Sequence, residues 1–319
     1  MRRTKQRLGV YTVLLFLLIA ATVTLRTLAL LWDFDFEFGY FGTSMAATAS
    51  DWVLIAGSVL LISFVAVGGV LPLRASFSSS AFYLPSGLVG VALLFLSADY
   101  FKKVFIMISE RAHLGFGIFN ADTLLPLAVA LLSLLSIGYL FLGALAGSRN
   151  NARRALFGVI AAVFFSVYAI YLYFDPTLPI NAPTKVLDEM AYVFTSAFFL
   201  FETRISLGRD KWNAYLGFGM TAALLTAASS LPTLIVYLVR GELTAHSLSE
   251  AVLTLTLFIF TSARVLQALV LRNDKKNPMA QFAEMATAAK EERAELDAAE
   301  DESDGEPDNY TMTFDGEAK

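Results

Sequence analysis

The chain contains no cysteine. That excludes disulfides, thiolate nucleophiles and every metal centre ligated by cysteine. Histidine is nearly as scarce. Only His113 and His246 occur, both in stretches read as loops and without ligand spacing. A zinc centre needs three or four convergent ligands, so no metal and no cofactor is expected. Charge is thin as well: Asp, Glu, Lys and Arg make up 16% of 319 residues, against about 25% in a soluble domain. A Gly-rich phosphate loop, a His-Glu-x-x-His string and a Gly-x-Ser-x-Gly elbow are all missing. Glu202-Thr203-Arg204 offers one carboxylate with no histidine or second carboxylate beside it, which is poor material for hydrolysis. No lysine falls in mid-span, so a retinal Schiff base is excluded; Lys102 and Lys103 lie too near a span end. The expectation is therefore not an enzyme. Basic residues gather at span ends rather than on one face, which leaves no nucleic-acid footprint.

Apolar residues are what the chain has in abundance, at 56%. They fall into eight runs near 9–32, 52–73, 85–108, 123–146, 155–174, 186–206, 213–239 and 248–271. Each is close to the roughly 20 residues that cross about 30 Å of hydrocarbon as a helix. Barrel strands would be about ten residues long and alternate in polarity. The expected fold is all-α: a polytopic transmembrane helical bundle of about eight spans, with the lipid bilayer as its first partner. Charge intrudes at an end of the third and sixth runs. Met1 to Arg7 followed by an apolar run looks superficially like a signal peptide. The run reaches Trp32, too long for a cleaved segment, so a retained first span is expected. The loops are short, and no internal repeat is evident.

Loop charges predict an orientation. With the N-terminus in the cytoplasm, 14 basic residues lie on that side, among them Arg2, Arg3, Arg153, Arg154, Arg204 and Lys275. The opposite side receives Arg26, Lys102, Lys103, Arg111, Lys185 and Arg240. The positive-inside bias then puts both termini in the cytoplasm, which agrees with an even number of spans. Asp33, Asp35 and Glu37, spaced by Phe34 and Phe36, read as an interfacial segment or as a mouth that attracts cations.

The domains divide at 1–275, the membrane part, and 276–319, an acidic cytoplasmic tail. Residues 284–319 hold 13 acidic and three basic side chains, a net of −10 that leaves +6 for residues 1–283. Met279 to about Glu300 is rich in helix formers. From Asp301 onward the composition cannot build a core and reads as disordered. The segment 279–319 is either a solvated tail or a docking strip for a cytosolic partner, with Tyr310, Met312 and Phe314 alternating in it.

An ionisable group inside a span costs about 2.5–3.5 kcal/mol and needs a partner, water or a role. Counting at 1.5 Å per residue puts Glu202 about 24 Å and Arg264 about 21 Å from the same end of spans six and eight. The two helices run in one direction, so an ion pair at equal depth is expected. The alternative is Glu202 with Arg204 or solvent, and Arg264 snorkelling to phosphate. A second group lies nearer the other end: Asp99 with Lys102 and Lys103 one turn later, Arg26, Asp188 and Glu189, and Glu250. It reads as a polar clamp between helices or as the mouth of a solute site.

Span seven is the most unusual run. Gly219, Ala223 and Ala227 recur every four residues, a small-residue stripe that permits close helix contact. Ser229 and Ser230 precede Pro232, which removes one backbone bond and predicts a kink that could serve as a hinge.

Three stretches carry a resemblance: Asp188-Glu189-Met190-Ala191-Tyr192, then Phe201-Glu202-Thr203-Arg204-Ile205-Ser206-Leu207-Gly208-Arg209, then Ser229-Ser230-Leu231-Pro232. The chain resembles uncharacterised eight-helix membrane proteins of bacteria over spans six to eight, roughly a quarter of its length. The resemblance implies a bacterial cytoplasmic membrane and supplies no activity. Function therefore rests on the charges. The first expectation is a non-enzymatic module that senses or organises through its tail. The alternative is a small-solute permease with charged residues along a pathway.

Overall fold

Lipid offers no hydrogen bonds, so each apolar run must satisfy its backbone internally. The computed structural model resolves this as eight α-helices and one short hairpin. It describes residues 2–42, 45–68, 83–114, 120–145, 151–175, 179–207, 211–243 and 247–270. The helices are α1 (Arg2–Trp32), α2 (Met45–Gly68), α3 (Tyr83–Leu114), α4 (Ala121–Leu145), α5 (Asn151–Phe174), α6 (Pro183–Ser206), α7 (Trp212–Arg240) and α8 (Leu248–Val270). Among the described residues six helices are long and apolar enough to cross a membrane: α1, α2, α4, α5, α7 and α8. The other two are α3 and α6, the runs into which charge intrudes. The outside of the bundle is apolar, with Leu17, Val59, Phe95, Phe105, Phe174 and Leu238 exposed, as a lipid-facing surface requires.

The order of packing positions the site. α3 packs on α4, α4 on α5, α5 on α6, α6 on α7, α7 on α8, and α8 returns to α3. These six helices close a ring. α1 and α2 stand outside it, both against α7. Because α7 touches α6, α8, α1 and α2, it is buried without interruption from Gly219 to Ser230. Close approach from several sides requires small side chains. A Cβ on Gly219 would sit 2.8 Å from Val265 Cγ2 of α8 and 2.9 Å from Phe198 Cδ2 of α6. On Gly217 the nearest atom would be Ile62 Cα at 3.8 Å, an ordinary contact.

Several expectations shift. α2 begins before residue 52 and α3 extends past residue 108. His113 thus falls in the last turn of α3 and not in a loop. Asp33 to Gly42 fold into an antiparallel pair, β1 (Phe34–Asp35) and β2 (Tyr40–Phe41). Asp35 Oδ1 accepts the N–H groups of Glu37 and Phe38, which closes the turn. Phe34 packs with Leu30 and Val236, and Arg240 donates to the Leu31 carbonyl, fixing the hairpin to the ends of α1 and α7. The β1–β2 pair marks one end of the bundle, the hairpin end. α7 runs as one helix from Trp212 to Arg240, with Pro232 inside it. Hydroxyl groups bind the carbonyls around the proline, Ser230 to Thr226 and Thr233 to Ser229, both at 2.7 Å. The tail domain 276–319, its segment 279–319 and His246 lie outside the described residues.

Gly219→Leu is expected to destabilise the detergent-solubilised protein by about 1–3 kcal/mol through overpacking. Gly217→Ala, with room available and better helix propensity, is expected to be neutral or stabilising. Thermal unfolding of the two variants side by side checks the difference.

Candidate functional site

Three sets of side chains meet inside the ring, some between neighbouring helices and some across it. Farthest from the hairpin end, Glu202 of α6 is fully buried. Its Oε1 accepts a hydrogen bond from Tyr139 Oη of α4 at 2.8 Å. The same oxygen lies 3.5 Å from Arg264 Nη2 of α8. The expected Glu202–Arg264 pair is therefore present, and it joins two helices across the ring. Arg264 also lies over the Phe260 ring, 5.2 Å from its centroid. Room for this group comes from Gly158 of α5, where a Cβ would meet Thr203 Oγ1 at 2.2 Å and Tyr139 Cε2 at 3.1 Å. Arg204 is exposed and lies over Phe201, so the Glu202–Arg204 alternative is not what forms.

The middle of the ring is aromatic. Phe165 of α5 stacks on Phe199 of α6 at 5.4 Å, and Phe199 stacks on Phe260 of α8 at 5.6 Å. All three are buried. Rings in stacked contact fill such a space with apolar surface.

Toward the hairpin end the interior becomes polar again. Glu250, in the first turn of α8, accepts a hydrogen bond from Tyr100 Oη of α3 at 2.9 Å. The positive end of the α8 dipole lies beside this carboxylate. Asp188 of α6 accepts a hydrogen bond from Ser229 Oγ of α7. Tyr192 of α6 meets Thr254 of α8 at 2.8 Å. Asp188, Ser229, Thr233, Glu250, Thr254 and the tyrosines 168 and 192 line one small cavity of about 10 Å³. Asp188 and Glu250 thus share a cavity wall.

Beside this cavity, Arg26 is buried and clamps three helices. It pairs with Asp51 of α2 at 3.3 Å and donates to the Pro183 carbonyl of α6 at 3.2 Å. Lys185, also buried, donates to the Asp175 carbonyl at 2.7 Å. The polar clamp expected at this depth exists around Arg26. Glu189 is half-buried on the same helix end. The rest of the expected group is not brought in. Asp99 and Lys102 are exposed, and Lys103 lies over the Tyr100 ring at 4.6 Å. A separate cleft of about 500 Å³ opens between α2 and α6, with Arg26 and Asp51 at its edge and apolar walls such as Leu54, Val186 and Met190.

Charge alone points to Glu202, Arg264, Asp188 and Glu250. It misses Tyr139, Tyr100, Tyr192 and Thr254, because a tyrosine or threonine in an apolar span looks like an ordinary interior residue. Helical spacing on α8 holds the missing signal. Glu250, Thr254, Leu257, Thr261, Arg264 and Gln267 recur at steps of three or four, and all are buried. Only Leu257 in that stripe is apolar.

Among the described residues no group of three or more His, Asp or Glu side chains could hold a metal ion. The chain matches no protein-family model, no curated protein and no solved structure.

Removing one member of a buried ion pair leaves an uncompensated charge and costs about 3–5 kcal/mol. Glu202→Gln and Arg264→Gln are each expected to lower stability in detergent, and the double variant is expected to lose clearly less than the two single losses combined. Thermal or denaturant unfolding of the full cycle checks the coupling; additive losses would contradict it.

Proposed function

We propose that the protein is a non-enzymatic, multi-pass permease for a small solute, with the six-helix ring as its pathway in a closed state. The observation that carries this reading is the inward stripe of α8. A helix serving only as scaffold has no need of a glutamate, two threonines, an arginine and a glutamine on the face that enters the ring. Ionisable groups within spans are costly and mark solute or ion pathways, provided they face the bundle interior. Those of α8 do, and at two depths. The aromatic stack of Phe165, Phe199 and Phe260 closes the axis between them. Asp188 and Glu250 on one cavity wall further support a binding site at the hairpin end.

The distribution of loop charge supports a bacterial cytoplasmic membrane with both termini in the cytoplasm. The hairpin end then faces outward, and the acidic layer is the first that an incoming solute meets. The resemblance of spans six to eight to bacterial membrane proteins supports the same location.

One observation favours a second reading. The Glu202–Arg264 pair and the stacked rings hold the ring shut, which suits a module that senses or organises and reports through residues 279–319 to a cytosolic partner.

The absence of cysteine allows a direct test. Ser229→Cys and Thr254→Cys place thiols in the cavity, Thr261→Cys places one beyond the aromatic stack, and Asn181→Cys serves as an exposed control. In sealed vesicles a permease is expected to let a membrane-impermeant thiol reagent reach positions 229 and 254 from the hairpin side, with position 261 reacting more slowly. Protection of all three, while position 181 reacts, would overturn the permease reading in favour of the sensing one.

A further inference from the structure

The cavity between α6, α7 and α8 has an unusual inventory of protons. Each lining hydroxyl but one has its hydrogen committed elsewhere. Ser229 donates to Asp188. Thr233 donates to the Ser229 carbonyl at 2.7 Å. Thr254 donates to the Glu250 carbonyl at 2.9 Å. Since the Thr254 proton is used, Tyr192 is the donor in the 2.8 Å contact between them. Tyr168 is the exception, with no hydrogen-bond partner at its Oη. Oxygen lone pairs are therefore what the wall presents to the cavity. Carboxylates have only acceptors to add.

Glu250 supplies a second, independent observation. It is 4% exposed, its Oε1 is bound to Tyr100, and its Oε2 is buried with no hydrogen-bond partner. A buried carboxylate oxygen in that condition costs several kcal/mol unless something positive meets it. Arg26 pairs with Asp51 and donates to the Pro183 carbonyl, its charge also reaching Asp188; Lys185 donates to the Asp175 carbonyl, and Lys103 lies over the Tyr100 ring. A cavity of about 10 Å³ admits one water-sized body. A water there would donate to Glu250 Oε2 and Asp188 and accept from Tyr168, but it brings no charge to two carboxylates. A small hard cation is a good match, since it takes oxygen ligands and offers no lone pair. Two carboxylates without a third ligand of that kind suit a single positive charge better than a double one.

We infer that this cavity is a sodium-ion site, with Glu250 Oε2 as its anionic anchor, Asp188 as the second carboxylate, and hydroxyl oxygens of Ser229, Thr233 and Thr254 completing the shell. The inference deepens the permease reading and rests on it for its purpose: bound sodium would supply the coupling ion at the hairpin end. Its ligands come from α6, α7 and α8, so the ion ties together three consecutive members of the ring.

The test uses the full chain purified in detergent. Its melting temperature is measured against sodium chloride, with choline chloride keeping ionic strength constant. A saturable, sodium-specific rise is expected, about 5 °C at a hundredfold excess over Kd. Glu250→Gln keeps an acceptor for Tyr100 and is expected to fold yet lose the sodium response. Thr254→Val keeps the shape of the side chain, removes one ligand oxygen, and is expected to weaken sodium about tenfold; it decides the matter where Glu250→Gln fails to fold. Equal responses to sodium and choline would overturn the site. So would a melting temperature that depends on pH, through Glu250, and not on sodium: the carboxyl then holds a proton and no metal ion. A sodium response with protected cavity cysteines keeps the site and removes the permease; labelled cysteines without a sodium response do the reverse.

Discussion

Everything in this bundle follows from one constraint: hydrocarbon does not hydrogen-bond. A polar side chain that enters a span must find its partner within the protein. The ring is the arrangement that provides those partners. Glu202 reaches Arg264 and Tyr139 across it, Glu250 reaches Tyr100, and Asp188 reaches Ser229. In each case the two residues come from different helices. Polar groups thus do the selecting among packings that apolar contacts alone would leave close in energy. Leucine against leucine is no better than leucine against lipid, so the specificity of the ring rests on these few contacts and on shape.

Shape is the contribution of α7. Its stretch of small side chains lets α6, α8, α1 and α2 approach one helix together. The closeness has a chemical result. Ser229 sits near enough to α6 to bind Asp188 while its own carbonyl is held by Thr233. Around Pro232, inside α7, the Ser230 and Thr233 hydroxyls bind the Thr226 and Ser229 carbonyls. A residue that looks like a hinge in the sequence is here part of a polar seam.

The membrane architecture was legible because its signal is large: a run of about 20 apolar residues matches the thickness of hydrocarbon and has little use in water. The Glu202–Arg264 pair was legible because depth along a helix follows from counting residues. Rotation about the helix axis is harder to count. Counting therefore groups Asp99 and Lys102 with the acidic layer at a similar depth, although they face outward. For the same reason Tyr139 and Tyr100 escape notice. Their importance lies in which helix they meet, and the order of helices around the ring is a tertiary property. Gly158 is a similar case: its role is visible only beside Thr203 and Tyr139.

The pairing of α6 with α8 bears on how the chain is made. α6 carries Lys185, Asp188, Glu189 and Glu202. Alone in lipid it would face a penalty of about 2.5–3.5 kcal/mol for each charge near mid-bilayer. Arg264, the partner of Glu202, is synthesised two helices later, a delay of roughly 3–12 s at ribosomal speed. During that interval α6 is a poor candidate for release into the bilayer. It is better retained at the insertion machinery until α7 and α8 arrive. A chain that ended before α8 would lack Arg264 and leave Glu202 only its contact with Tyr139.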